Sequence, residues 1–256
     1  MENEEQLLRM HRGHELMKPY PFTNSVGHFW GILETRDYMW ARYSLADAMT
    51  RIHNVESTQT HLDHLMDMLR LCRADNLGVR AHVPALMLRL NKDQQCYDFI
   101  KWWSAIQTNT QYDMGNTDLP YLDIKDADVF ESVDGDQSKS SQLSHIVCLT
   151  LLKIKLLLDL LKLERSTSGL GPRFPRKLFN MIQTASPQSP LIHGNTQLMA
   201  GEGKCRLESI EILKVQINMM YDSVNEHNKH FWLALQSPQD HLKNRPEGAS
   251  KGAWKR

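Results

Sequence analysis

The sequence predicts an all-α protein built as an array of antiparallel helical hairpins, and three observations carry that prediction. Apolar residues recur at helical spacing in two successive stripes, Leu62, Leu65, Met66, Leu69 and Cys72, then Cys96, Phe99, Ile100, Trp103 and Ile106. Residues three, four and seven apart share one face of a helix, so each set forms a band that must be buried. The corners between periodic segments are short and polar, as at Asn91-Lys92-Asp93, and short corners make consecutive helices antiparallel neighbours. Neither stripe can bury itself alone, and a chain of 256 residues is long enough to supply the neighbours in one core.

The elements follow in order. Residues 1–27 mix Glu-rich, His-containing and Pro/Asn/Gly stretches and read as a loosely ordered lead-in, with order beginning near Phe29-Trp30. Asp37 is the expected cap of a helix running to Ile52, with Trp40, Tyr43, Ala46 or Asp47, and Met49 or Thr50 toward its inner edge. Ser57 or Thr58 caps the next helix, because a side-chain oxygen there accepts from an unpaired first-turn N–H. Asp75 or Asn76 opens a third, in which Pro84 either makes a kink or marks the first turn of a shorter helix. Asp93 caps the fourth.

A long acidic loop then spans 109–137, with eight carboxylates against the single Lys125, and Leu119-Pro120-Tyr121-Leu122 and Ile124 pin its middle to the helices. Leu143 to Leu163 is a leucine-rich helix read as buried in the body, and its central Lys153 and Lys155 argue against a membrane span, since each charge costs about 2.5–3.5 kcal/mol at mid-bilayer and a leucine returns only about 0.3–0.6. Its lysines are expected on the wet side. Loops at 166–175 and 186–204 flank a short helix around Arg176 to Thr184, and a long last helix covers Arg206 to Leu235. Ile210, Leu213, Ile217, Met220, Val224, His227 and Phe231 alternate steps of three and four there. The flanking positions lack the charges of a coiled coil, so that stripe is assigned to burial in the array. A polar, Pro/Gly-rich tail at 237–256 is expected to be disordered. The domain reading is therefore a single helical body at 28–235 between two loose ends.

Composition narrows the function classes. The formal net charge is zero, which gives no global steering toward nucleic acid or an anionic membrane. Cys72, Cys96, Cys148 and Cys205 form no CxxC pair and the sequence shows no secretory signal, pointing to a reduced cytoplasmic or nuclear setting. No cofactor is expected. His61/His64 and His227/His230 each offer two ligands at helical spacing, short of the three or four a zinc site needs, and HExxH is absent. The acidic loop lacks the glycine and final glutamate of an EF-hand. There is neither a GxSxG elbow nor a phosphate loop, because Ser168-Gly169-Leu170-Gly171-Pro172 has no Lys-Ser/Thr ending.

Aligned to the tetratricopeptide pattern, Cys96 takes the small mid-repeat position, Asn91 the inter-helix corner and Ile100 the large apolar position four residues on. Trp103 and Pro84 depart from the pattern, and no second copy follows at the interval of about 34 residues, so the fold class is a degenerate tetratricopeptide-like αα-hairpin array. The phrases LCRADNLGVRAHVPALMLRLNKDQQCYDFIKWW and DLPYLDIKDADVFE resemble a group of fungal α-helical proteins, some carrying a MYND-type zinc finger. The resemblance covers roughly 38–165; it implies a fungal intracellular protein with a tetratricopeptide-like body and supplies neither a finger nor catalytic residues.

Helical hairpin arrays present grooves that take peptide segments, so the expected function is a protein-interaction module or scaffold with a protein or peptide partner. Trp102 and Trp103 point about 100° apart on their helix. Trp103 follows the core stripe, leaving Trp102 as a groove wall, or else packed beneath the acidic loop. Trp102, Tyr121, Asp123, Asp126 and Asp128 are the candidate partner-binding residues. Two alternatives stand beside this: an enzyme or metal-dependent subunit joining the acidic loop to the His61/His64 face, and salt-dependent nucleic-acid association through the basic tail.

Overall fold

In the computed structural model, which describes residues 1–13, 17–132, 142–168, 189–200 and 203–239, the chain is all-helical. No strand forms among the described residues; His28 and Cys72 make an isolated antiparallel bridge. The first helix, α1 (Glu2–Met10), and the single turn α2 (Pro21–Asn24) lie in the segment expected to be loose. They are docked instead. Leu8 and Met17 are buried, and Phe22 meets Phe29 and Tyr38 with ring centroids 5.3 and 5.1 Å away.

Helix α3 (Leu33–Met49) begins a turn before Asp37, because the Thr35 hydroxyl donates to the carbonyls of Phe29 and Ile32 and fixes the preceding 3-10 turn, Phe29–Gly31. Its buried face carries Thr35, Tyr38, Met39 and Ala46. Trp40, expected inside, is 51% exposed. Helix α4 (Val55–Leu71) is capped one turn ahead of expectation by Asn54, whose Oδ1 accepts from the Ser57 N–H at 2.6 Å. Its predicted stripe is the buried one, with Met66 half-buried at the edge.

The corner between α4 and α5 is built on Asp75, which sits at φ +53 and accepts from the N–H groups of Val79 (2.8 Å) and Arg80 (3.1 Å). Those bonds wind the 3-10 turn Val79–Ala81, and Pro84 falls in the first turn of the short helix α5 (Val83–Arg89). Helix α6 (Asp93–Thr108) follows. Asp93, the expected cap, is its first helical residue and 1% exposed; its carboxylate holds Lys155 Nζ at 2.9 Å and the Ser189 hydroxyl at 2.6 Å. Helices α3 to α6 pack against one another in chain order, but their lengths of 17, 17, 7 and 16 residues do not repeat.

Helix α7 (Leu143–Ser168) carries Ile146, Leu149, Leu152, Leu156, Leu160 and Leu163 to the core and packs along α10 (Gly203–His227). Lys155 and Lys162 are partly or fully exposed, but Lys153 departs from the expected wet side and is completely buried. Its Nζ donates to the Val129 carbonyl and lies 5.3 Å from the centre of the Tyr97 ring. Two short helices, α8 (Pro190–His193) and α9 (Thr196–Ala200), occupy part of the expected 186–204 loop. The expected single last helix is broken. After α10, Asn228 Oδ1 accepts the His230 N–H at 3.1 Å, and α11 (Phe231–Gln236) folds back so that Trp232 stacks on Tyr221 at 5.1 Å. Ile210, Leu213, Met220 and Val224 are buried as expected, whereas His227 is exposed and bonds the Ser223 carbonyl at 2.8 Å. The expected helix at 176–184, Asp134 to Asp136 of the acidic loop and tail residues 240–256 lie outside the described residues. No helix among the described residues is long and apolar enough to cross a membrane.

Candidate functional site

The acidic loop is irregular from 109 to 132, and irregular backbone must find partners outside itself. Here helix side chains provide them. At its near end Arg73, buried at the end of α4, donates to the carbonyls of Asn116 (2.8 Å) and Leu119 (2.7 Å) and to the Tyr112 hydroxyl (2.8 Å). The same guanidinium sits 4.5 Å from the centre of the Tyr121 ring, a cation–π contact strengthened by burial. In the middle, the Asp98 carboxylate of α6 accepts three bonds, from the N–H groups of Asp126 and Ala127 at 3.0 Å each and from Gln94 Nε2 at 2.9 Å. At the far end Gln216 of α10 donates to the carbonyls of Phe130 and Glu131. Glu131 joins Lys101 and the Tyr97 hydroxyl at 2.6 Å each. Burial alone would raise the Glu131 carboxyl, but its bonds to Lys101 and Tyr97 outweigh that and hold it below the usual range.

Trp102 lies under this strap. The indole is 3% exposed, donates to Asp123 Oδ1 at 3.1 Å and packs edge-on against Tyr112 (5.8 Å) and Tyr121 (4.9 Å). Of its two expected places, the structure has the one beneath the loop; as a groove wall it is corrected, because two tyrosines and the strap cover it. Tyr121 is half-buried in the same cluster, and desolvation raises its hydroxyl well above the ordinary value. Asp123, Asp126 and Asp128 are exposed along the outer surface.

Beside that cluster the strap and helices enclose an open cleft of about 500 Å³. Met66 of α4, Met87 of α5, Phe99 of α6 and the loop residues Leu122 and Ile124 form its apolar lining. Gln94, Gln95, Asp98, Lys125 and Asp126 form the polar part. Leu122 and Asp126 both adopt left-handed backbone, at φ +51 and +53. For a bulky residue such as Leu122 that conformation costs on the order of 1–3 kcal/mol and persists only where surroundings hold it. The Asp98 bonds and the Asp123–Trp102 bond are those surroundings, so the cleft wall is fixed before anything binds.

The structure does not join the two halves of the metal-dependent alternative. His61 senses Asp47 of α3 and His82, and His64 senses Arg42 of α3; Met66, which lines the cleft, is turned some 140–200° around α4 from them at about 100° per residue. Burial lowers both imidazole pKa values. Among the described residues no group of three or more His, Cys, Asp or Glu is placed to hold a metal ion. Cys96, in the first turns of α6, is buried and its thiol is pushed well above the ordinary value by desolvation.

The sequence reading missed Arg73, Asp98 and the Met66–Met87 floor. Gln94 and Asp98 stand four apart on α6, a polar edge beside the apolar stripe, and that was the available signal. Arg73 had none, since its carbonyl partners lie some 43 to 46 residues away. No protein-family model matches this chain, and comparison with curated proteins and with solved structures also gives no match.

Proposed function

We propose that this chain is a helical protein-interaction module without catalytic activity of its own, and that it receives a protein or peptide partner at the cleft beneath residues 122–126. The observation carrying this reading is the construction of that cleft: an apolar floor from three helices, a polar rim, and a loop wall fixed by Asp98 and Trp102. A pocket of several hundred Å³ with a few placed polar groups is a normal binding site, and a preformed wall removes part of the ordering cost of association. Among the described residues its lining holds no histidine, cysteine, serine or threonine. Its buried carboxylate, Asp98, is engaged by three N–H donors, which suits a structural anchor better than a proton carrier.

The serial packing of α3 to α6 supports treating the body as a degenerate tetratricopeptide-like array, in line with the resemblance to fungal helical proteins. Four free thiols fit a cytoplasmic or nuclear setting. The test is site-specific photo-crosslinking from position 95, whose glutamine is exposed on the cleft rim, with position 208, exposed on α10, as control. The reading expects a partner captured from position 95 and not from position 208; equal capture at both, or none at 95, refutes it.

A further inference from the structure

We infer that the occupant of this cleft is a segment of a partner protein that presents one bulky apolar side chain beside lysine or arginine. The inference rests on the reading of the cleft as a binding site and assigns the chemistry that fills it. The floor sets the first half. Met66 and Met87 bring two flexible, polarisable thioethers against Phe99 and Ile124, a lining that adapts to aliphatic or aromatic side chains alike. The volume, about 500 Å³, admits one large side chain with its flanking backbone, while the exposed Gln95 amide on the rim can bond to that backbone.

Charge sets the second half. Between 109 and 132 the loop carries Asp113, Asp118, Asp123, Asp126, Asp128 and Glu131 against Lys125 alone. Glu131 is already matched by Lys101, and Asp98 by N–H donors. Asp126 on the cleft wall, with Asp123 and Asp128 on either side, remains exposed. A partner that buried an acidic or neutral surface here would desolvate these carboxylates without return. A basic residue beside the anchor pairs with them and speeds encounter through the field they make.

Two variants isolate the charge without disturbing the wall. Asp126 occupies left-handed backbone, which asparagine tolerates best among residues with a side chain. Asp128 Oδ1 accepts from the Phe130 N–H at 2.9 Å, a bond asparagine retains. The experiment titrates the full chain, labelled with 13C at its methionine methyls, with decapeptides carrying Leu, Phe, Met or Trp next to Lys or Arg. Matched peptides carry Glu in place of the basic residue, or Ser in place of the apolar one. The expected result is movement of the Met66 and Met87 methyl signals but not those of Met39 and Met220, which do not line the cleft. Affinity should fall at least tenfold on either peptide replacement, fall about three- to tenfold in Asp126→Asn/Asp128→Asn, and rise in Lys125→Glu.

Peptides that move Met66 and Met87 with no preference for basic flanks overturn the chemistry and leave the binding site standing. If no peptide moves those two methyls, while position 95 still captures a partner, this occupant is likewise wrong. Absence of both signals removes the site as well. Binding confined to the chain's own 251–256 sequence, Lys-Gly-Ala-Trp-Lys-Arg, would make the occupant the chain itself and overturn the partner assignment; pairing of a second copy, seen as doubled mass in sedimentation, would do the same.

Discussion

Replacing Lys153 by methionine tests how the helical body holds the strap. The lysine is completely buried on α7, donates to the Val129 carbonyl and faces the Tyr97 ring, with the Asp128 and Glu131 carboxylates acting on it from the loop. Desolvation lowers its pKa from 10.5 to about 8, and those two carboxylates offset only part of that. At about 1.4 kcal/mol per pH unit the drop corresponds to roughly 3 kcal/mol against the charged form. The folded state therefore binds fewer protons than the unfolded chain between about pH 8 and 10.5. The penalty is complete below pH 8 and is relieved as pH rises through that window. Methionine keeps the stem and removes the charge, leaving the Val129 carbonyl without its donor at a cost of about 1–3 kcal/mol. At pH 7 the two terms nearly cancel, and the variant should lie within about 2 kcal/mol of wild type. Urea unfolding followed by tryptophan fluorescence from pH 7 to 10 reads the difference. Wild type should gain on the variant by about 1.4 kcal/mol per pH unit above pH 8. Cys96 and Cys148, whose thiols burial raises, contribute equally in both proteins and drop out of the comparison. A difference that stays flat from pH 7 to 10 refutes the account of Lys153 as a buried ammonium.

Three further outcomes follow from the geometry. Trp102→Ala removes an indole packed among Tyr112, Tyr121 and Trp103 and should lower unfolding stability by about 3–5 kcal/mol; a loss under about 1 kcal/mol in chemical denaturation would mean the ring is not packed. Arg73→Lys replaces the two separated nitrogens of a rigid fork by a single ammonium, which cannot span both carbonyls and the Tyr112 hydroxyl, so amide exchange across 112–122 should speed up at least tenfold while exchange in α7 is unchanged; uniform acceleration would contradict a local clamp. His145 is held neutral to about pH 4, chiefly by burial. Its contribution is intact above pH 6.5 and is lost as pH falls toward 4, on the order of 3 kcal/mol; acid titration of stability in His145→Gln should lack that loss relative to wild type.

Much of the body was legible because periodicity reports burial directly. The stripes on α4 and α6, and the part of the α10 stripe from Ile210 to Val224, lie on the buried faces, and Pro84 sits in a first turn as its chemistry allows. Failures arose where a contact distant in sequence decided the outcome. The buried face of α3 is the one on which Tyr38 meets Phe22, sixteen residues upstream, and Trp40 falls outside it. Lys153 looked like a marker of the wet side until a carbonyl 24 residues upstream claimed it. At the site, the acidity of the loop and the surplus Trp102 were visible, but the cleft was not. It needs Met66, Met87, Phe99 and Ile124 to meet across three helices and a loop, and no local pattern records that meeting.

The Ser189 junction has a consequence for how the chain assembles. The Ser189 hydroxyl bonds Asp93 across 96 residues, while its N–H bonds Asp159 at 2.8 Å across 30. Contacts that close long loops carry the largest entropic cost and form after local ones. The neighbouring helices α3 to α6 can condense on nearby contacts, and the junction then fastens α8 to both α6 and α7. Interactions made after the folding transition state govern how fast a protein comes apart rather than how fast it forms. The Asp93–Ser189 bond thus acts on the lifetime of the assembled state: Ser189→Ala should leave the refolding rate near wild type and raise the unfolding rate.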